Sequence, residues 1–238
     1  MGPEILEKIG TLRRGMLALI VLGILAYAVS IQVPFYFDDV NILTNPAFVN
    51  RLGLAAVWYK EPMRAVTYTT FYLNYVLGGE RPWGYHLFNL FCHLTTAAAI
   101  LLLVRTLSGT PNSGIASSGS NGRYKFAAVV AATIFVVHPL NTQAVTYIVQ
   151  RAAVLAALFY LFAIFAYLKA RLSTSGVSRT KWLAICAGTV FCALLSKQNA
   201  ATLPLSLLLV ELMFFQVSRK KMAVVGVLFF LQITVAVA

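Results

Sequence analysis

Two adjacent carboxylates, Asp38 and Asp39, stand directly behind an apolar run long enough to cross a membrane. The 238-residue chain carries only seven acidic side chains. A charge at membrane level is costly unless it meets water, a cation or a substrate. Neighbouring carboxylates repel, which raises the proton affinity of one of them and suits it to general-base work. The same pair could ligate a divalent cation such as magnesium or manganese. The plainer alternative is a solvated loop pair that caps a helix or ties down Asn41 and Asn45 through Asx turns.

Three further blocks carry polar chemistry inside apolar surroundings. His86, Asn89 and His93 recur at i, i+3 and i+7, a spacing that keeps them within roughly 60° of one helix face. They either bond neighbouring helices or line a pocket. His138-Pro139-Leu140-Asn141-Thr142-Gln143, followed by Arg151, reads as a bent turn with an interfacial arginine. Read for function, it is a bed for an anion, with Arg151 gripping phosphate bidentately. Lys197 either snorkels to the surface or adds a second positive charge. No GxSxG, HExxH or phosphate-binding P-loop pattern occurs, so hydrolase, zincin and nucleotide-binding readings have no support.

Apolar runs must position these groups. Hydrophobic residues make up 60% of the chain and charged ones 11%, against about 25% charged in soluble domains. This predicts an all-α, polytopic transmembrane bundle. The spans are expected over Met16–Val33 and Tyr85–Val104, then two within 126–169 bent at His138-Pro139, then Trp182–Leu195, Ala200–Phe215 and Met222–Ala238, about seven in all. Residues 1–15 form a basic-ended terminus. Residues 34–83 form an external loop with short interfacial helices near Leu52–Tyr59 and Val66–Leu77. The Gly/Ser/Asn-rich stretch 106–124 predicts a flexible loop. The chain closes inside an apolar run, which predicts that it is a fragment of a longer protein.

The formal charge is +12, but the basic residues fall in short clusters between apolar runs, not in an aromatic-interleaved patch. Nucleic acid is therefore not an expected partner; the lipid bilayer is. A cytoplasmic N-terminus places 13 of the 19 basic residues on the cytoplasmic side. It also brings Asp38, Asp39, His86, His138, Arg151 and Lys197 to the opposite level. Cys92, Cys186 and Cys192 lie in apolar runs without metal or redox spacing, so they read as small core residues.

Taken in order, Phe37-Asp38-Asp39…Asn45, His86-Leu87-Phe88-Asn89…His93, the HPLNTQAV block at 138–145 with Arg151, and Ser196-Lys197 resemble a known family. It is that of the transmembrane-and-tetratricopeptide-repeat O-mannosyltransferases and their bacterial relatives, within the GT-C glycosyltransferase superfamily. The resemblance covers about residues 35–210. It implies a polyprenyl-phosphate-linked sugar as donor, a protein or glycan hydroxyl as acceptor, inversion at the anomeric carbon, and a first-loop aspartate as base. On that pattern Asp38 is the base and Asp39 assists or binds a cation. Arg151 and Lys197 hold the donor phosphate, and His86, Asn89, His93, His138, Asn141 and Gln143 line the pocket. The chain departs from the family at Gln143 and Gln198, where acids are usual, and at Ala65, where a proline is usual. A bacterial inner membrane is the expected location, or the endoplasmic reticulum in a eukaryote. The competing classes are a proton-coupled or small-solute transporter, which would bury its ionisable groups near the midplane and often show inverted repeats, and a non-catalytic assembly subunit.

Overall fold

The computed structural model describes residues 3–44, 53–112 and 120–215. Everything regular among them is helical, as the apolar runs predict. Helix α1 (Pro3–Tyr27) passes through a short 3-10 segment, Ala28–Gln32, into a second 3-10 turn, Phe37–Asp39, and the four-residue α2 (Val40–Leu43). The segment between the first two spans continues with α3 (Leu54–Lys60) and α4 (Ala65–Gly78), close to the two short helices expected there. Then come α5 (Pro82–Leu107), α6 (Ser120–Val137), the short α7 (Thr142–Thr146), α8 (Arg151–Leu172), α9 (Gly176–Leu194) and α10 (Leu203–Phe214).

Local chemistry sets the boundaries. Pro82 opens α5, where its missing N–H costs nothing. Gly79 closes α4 with φ +62°, a conformation that glycine adopts freely. Helix α6 stops at Val137 because His138 precedes a proline and is held extended, φ −66° and ψ 128°. The chain then turns by 54° into Pro139–Thr146, the bend that His138-Pro139 predicts.

The described residues account for four or five of the expected seven spans. Among the described residues four helical stretches are long and apolar enough to cross a bilayer: Leu12–Gln32, Pro82–Leu107, Ile148–Leu172 and Gly176–Leu194. The bent pair Gly122–Val137 and Pro139–Thr146 makes a fifth if it counts as one span. The expected span at Ala200–Phe215 is a 3-10 turn, Gln198–Thr202, followed by twelve residues of α10. Gln198–Phe214 is thus a shorter apolar stretch than the four, with Pro204 in the first turn of α10. The expected run Met222–Ala238 lies outside the described residues. Of the stretch 106–124, residues 113–119 also lie outside them; α5 continues to Leu107 and α6 starts at Ser120.

Small side chains let the helices approach. Ala97, Ala128 and Ala132 pack with Leu19, Leu101 and Val136 between α1, α5 and α6. Ala163, Ala166, Ala193 and Ala200 pack with Cys186 and Leu203 between α8, α9 and α10. Cys92, Cys186 and Cys192 are free thiols; Cys186 is buried in the second of these cores, and Cys92 is buried against Val154, Leu155 and Leu158 of α8. At the far end of the bundle from Asp38, Arg171 forks onto Glu211 at 2.9 Å, and Tyr167 donates to the same carboxylate at 2.8 Å. That pair ties α8 to α10.

Candidate functional site

The adjacent carboxylates are handled in opposite ways. Asp39 is fully buried. Its Oδ1 accepts from the Val149 N–H at 2.7 Å, and its Oδ2 accepts weakly from the Tyr36 N–H at 3.5 Å. These bonds fasten the loop after α1 to the start of α8, 110 residues away. Asp38 is exposed. Its Oδ2 accepts from the Tyr147 hydroxyl at 3.1 Å, and its backbone N–H donates to the same hydroxyl oxygen at 3.4 Å. Among the described residues no donor reaches Asp38 Oδ1, and neither aspartate has an ion-pair partner.

Phe37, just before the pair, takes φ +48° and leaves its ring 84% exposed. A non-glycine residue in this region costs on the order of 1–3 kcal/mol. Asp39's bonds on either side hold the strain in place. Tyr36 stacks on Tyr147 with ring centroids 4.9 Å apart, so the turn carrying Asp38 rests on an aromatic pair.

Burial pushes the Asp39 carboxyl above the ordinary carboxylate value of 3.8, outweighing the backbone N–H bonds and the nearby His86. The folded state therefore holds the Asp39 proton more tightly than the unfolded chain does. The resulting stability is present in acid and is lost as pH rises through the raised pKa. Asp39→Asn keeps the group neutral throughout. The melting temperature of the wild type relative to this variant is expected to fall as pH rises from 4 toward neutrality; a difference that is flat with pH would show that the carboxyl is not held in this way.

His86, Asn89 and His93 all turn to the segment 136–148, so the single face expected from their spacing is present. Each is fully buried. The His86 ring nitrogens face the carbonyls of Val33 at 2.8 Å and Val145 at 3.2 Å. Asn89 donates to the Ile148 carbonyl at 3.4 Å. His93 Nε2 faces the Val136 carbonyl at 3.3 Å, which also accepts from the Tyr27 hydroxyl at 3.1 Å. These are interhelical bonds, and none of the three side chains opens onto a surface. Asn141 is likewise engaged, donating to the Phe135 carbonyl at 2.7 Å and so capping α6. His138 is exposed and accepts from the Leu140 N–H at 3.2 Å. Gln143 is exposed.

Among the described residues Arg151 is the largest fully buried side chain. Its Nε donates to Asn89 Oδ1 at 2.7 Å, and its two terminal nitrogens donate to Thr70 Oγ1 at 3.3 Å and the Tyr85 carbonyl at 3.0 Å. Its guanidinium lies between the rings of Phe71 and Phe88, 4.4 and 4.6 Å from their centroids. The fork expected to grip a phosphate thus binds α4, α5 and α8 to one another. Lys197 sits half-buried at an extended residue beside Ser196. The Leu195 and Ser196 carbonyls accept from the Val66 N–H at 3.1 Å and the Thr67 hydroxyl at 3.0 Å, which brings the start of α4 against the turn after α9. Beside that turn, Ala153, Ala156, Ala157, Tyr160, Asn199 and Thr202 line an open groove of about 320 Å³.

Sequence reasoning missed Tyr147, Thr70 and the aromatic sleeve of Phe71 and Phe88. Tyr147 lies 109 residues from Asp38, and no spacing within one helix could connect them. Among the described residues no group of three or more His, Cys, Asp or Glu could hold a metal ion. With both Asp39 oxygens turned to backbone N–H groups, the donor set does not fit a cation held by protein ligands alone.

An all-α polytopic membrane protein with its polar network at one end of the bundle is the class these features define. The chain is related to the TMTC protein O-mannosyl-transferases. It is 32% identical to Protein O-mannosyl-transferase Tmtc3 of Drosophila melanogaster over 210 residues, 79% of this chain and 23% of that protein. It is 28% identical to mouse TMTC2 over 200 residues and 30% identical to mouse TMTC4 over 204, 76% of this chain in each case and 22% and 27% of those proteins. The chain therefore spans about a quarter of the length of these relatives. No family model matches it, and no solved structure matches it.

Proposed function

We propose that the protein is a membrane glycosyltransferase that moves mannose from a polyprenyl-phosphate-linked donor to a protein hydroxyl, with Asp38 as general base. The observation that carries the reading is the exposed Asp38 carboxylate, anchored through one oxygen and open at the other, on a strained turn at the end of a span. The acceptor hydroxyl oxygen attacks the anomeric carbon as its proton passes to Asp38 Oδ1. The bond from that carbon to the donor phosphate breaks on the opposite side, which inverts the centre and releases polyprenyl phosphate. Such general-base help is worth roughly 10²–10⁴-fold. Lys197 stands two residues before Asn199, which lines the alanine-floored groove, and it would stabilise the departing phosphate while the isoprenoid chain lies along the groove. Asp38 then works on the non-cytoplasmic side, with the N-terminus cytoplasmic. Asp39, bonded to the Val149 and Tyr36 N–H groups, holds the turn that carries the base.

The engagement of Arg151, His86, Asn89 and His93 in packing favours one other reading, a non-catalytic assembly subunit. Full-length protein incubated with polyprenyl-phosphate mannose and a Ser/Thr-rich acceptor peptide separates the two. Time-dependent mannose transfer to the peptide is expected; donor left intact would support the assembly reading.

A further inference from the structure

We propose that Tyr147 is a positioning residue for Asp38, an inference that rests on the reading of Asp38 as base. The exposed carboxylate has no cation beside it and no second side-chain bond among the described residues. A free aspartate on a surface turn would sample several rotamers, and most of them would aim neither oxygen at an incoming hydroxyl. The Tyr147 hydroxyl removes that freedom. It donates to Asp38 Oδ2 at 3.1 Å while accepting from the Asp38 backbone N–H at 3.4 Å. One hydroxyl thereby fixes both the turn and the carboxylate it bears, and Oδ1 stays open.

The phenol is itself held rigidly. Its ring stacks on Tyr36 at 4.9 Å with an interplanar angle of 22°. Its backbone N–H donates to the Gln143 carbonyl at 3.1 Å, and its carbonyl accepts from the Gln150 N–H at 3.1 Å. Tyr147 stands between α7 and the 3-10 turn Ile148–Gln150, and Val149 in that turn is the residue that binds Asp39. The segment 147–149 thus grips both aspartates, one through a side chain and one through the backbone. A neutral donor suits the task, because it orients a carboxylate without cancelling its charge as a lysine or arginine would.

The test is Tyr147→Phe in the purified full-length protein, assayed with polyprenyl-phosphate mannose and a Ser/Thr-rich peptide. Phenylalanine keeps the stack on Tyr36 and removes only the hydroxyl. The expected result is a kcat lowered about tenfold or more, as a lost hydrogen bond to a charged group predicts, with KM for the donor and the melting temperature unchanged. A variant with full kcat would overturn the proposal. So would a loss of kcat matched by a fall in melting temperature, since Tyr147 would then be a packing residue. Asp38→Asn is assayed alongside. If it turns over at the wild-type rate, the base assignment itself fails; if it is inert while Tyr147→Phe is fully active, only the positioning role fails.

Discussion

Asp38→Asn in the full-length protein is expected to lose mannose transfer by roughly 10²–10⁴-fold, the usual worth of a general base, with its melting temperature unchanged. The two halves of that expectation have separate causes. Asp38 is exposed, so removing its charge neither opens a cavity nor strands a buried partner. Asparagine also keeps a carbonyl oxygen that can accept from the Tyr147 hydroxyl, so the turn retains its anchor. Only the capacity to take a proton is lost. Membrane insertion, read by expression and protease protection, should match wild type. Initial rates at saturating donor check the kinetic half.

Arg151→Ala is expected to act the other way, through the fold. Its guanidinium donates to Asn89, Thr70 and the Tyr85 carbonyl from a fully buried position between two aromatic rings. Truncation leaves Asn89 Oδ1 and the Tyr85 carbonyl without their donors and opens a void between Phe71 and Phe88. Stranding a buried acceptor costs about 1–3 kcal/mol and the void adds to it, which corresponds to a fall in melting temperature on the order of 10 °C for a protein of this size. Arg151→Lys should recover little, because an ammonium has no planar fork to reach three acceptors from one position. Thermal unfolding in detergent measures both variants. A residue that served to bind donor phosphate would instead raise KM for the donor and leave melting untouched.

The architecture was legible where it depends on local sequence. Run length identified the spans at α1, α5, α8 and α9, and the pre-proline restriction at His138 marked the bend before α7. Aromatic and apolar patterning placed α3 and α4 in the segment between the first two spans. At 200–215 run length does not show that a 3-10 turn, Gln198–Thr202, precedes only twelve residues of α10. The polar network was half legible. Spacing showed that His86, Asn89 and His93 share a face, but periodicity does not say whether that face meets a ligand or another helix. The destination of Arg151 depends on Asn89, 62 residues away, and on Thr70, 81 residues away. The unequal burial of Asp38 and Asp39 depends on Tyr147 and Val149. Such pairings arise from tertiary packing, which one sequence does not display.

The division of labour between the adjacent aspartates is tested most directly by the initial rate of mannose transfer for Asp38→Asn and Asp39→Asn, measured side by side in the full-length protein. Asp38→Asn should fall to background while Asp39→Asn, altered only in how the turn is held, retains measurable turnover. An active Asp38→Asn beside an inert Asp39→Asn would contradict it.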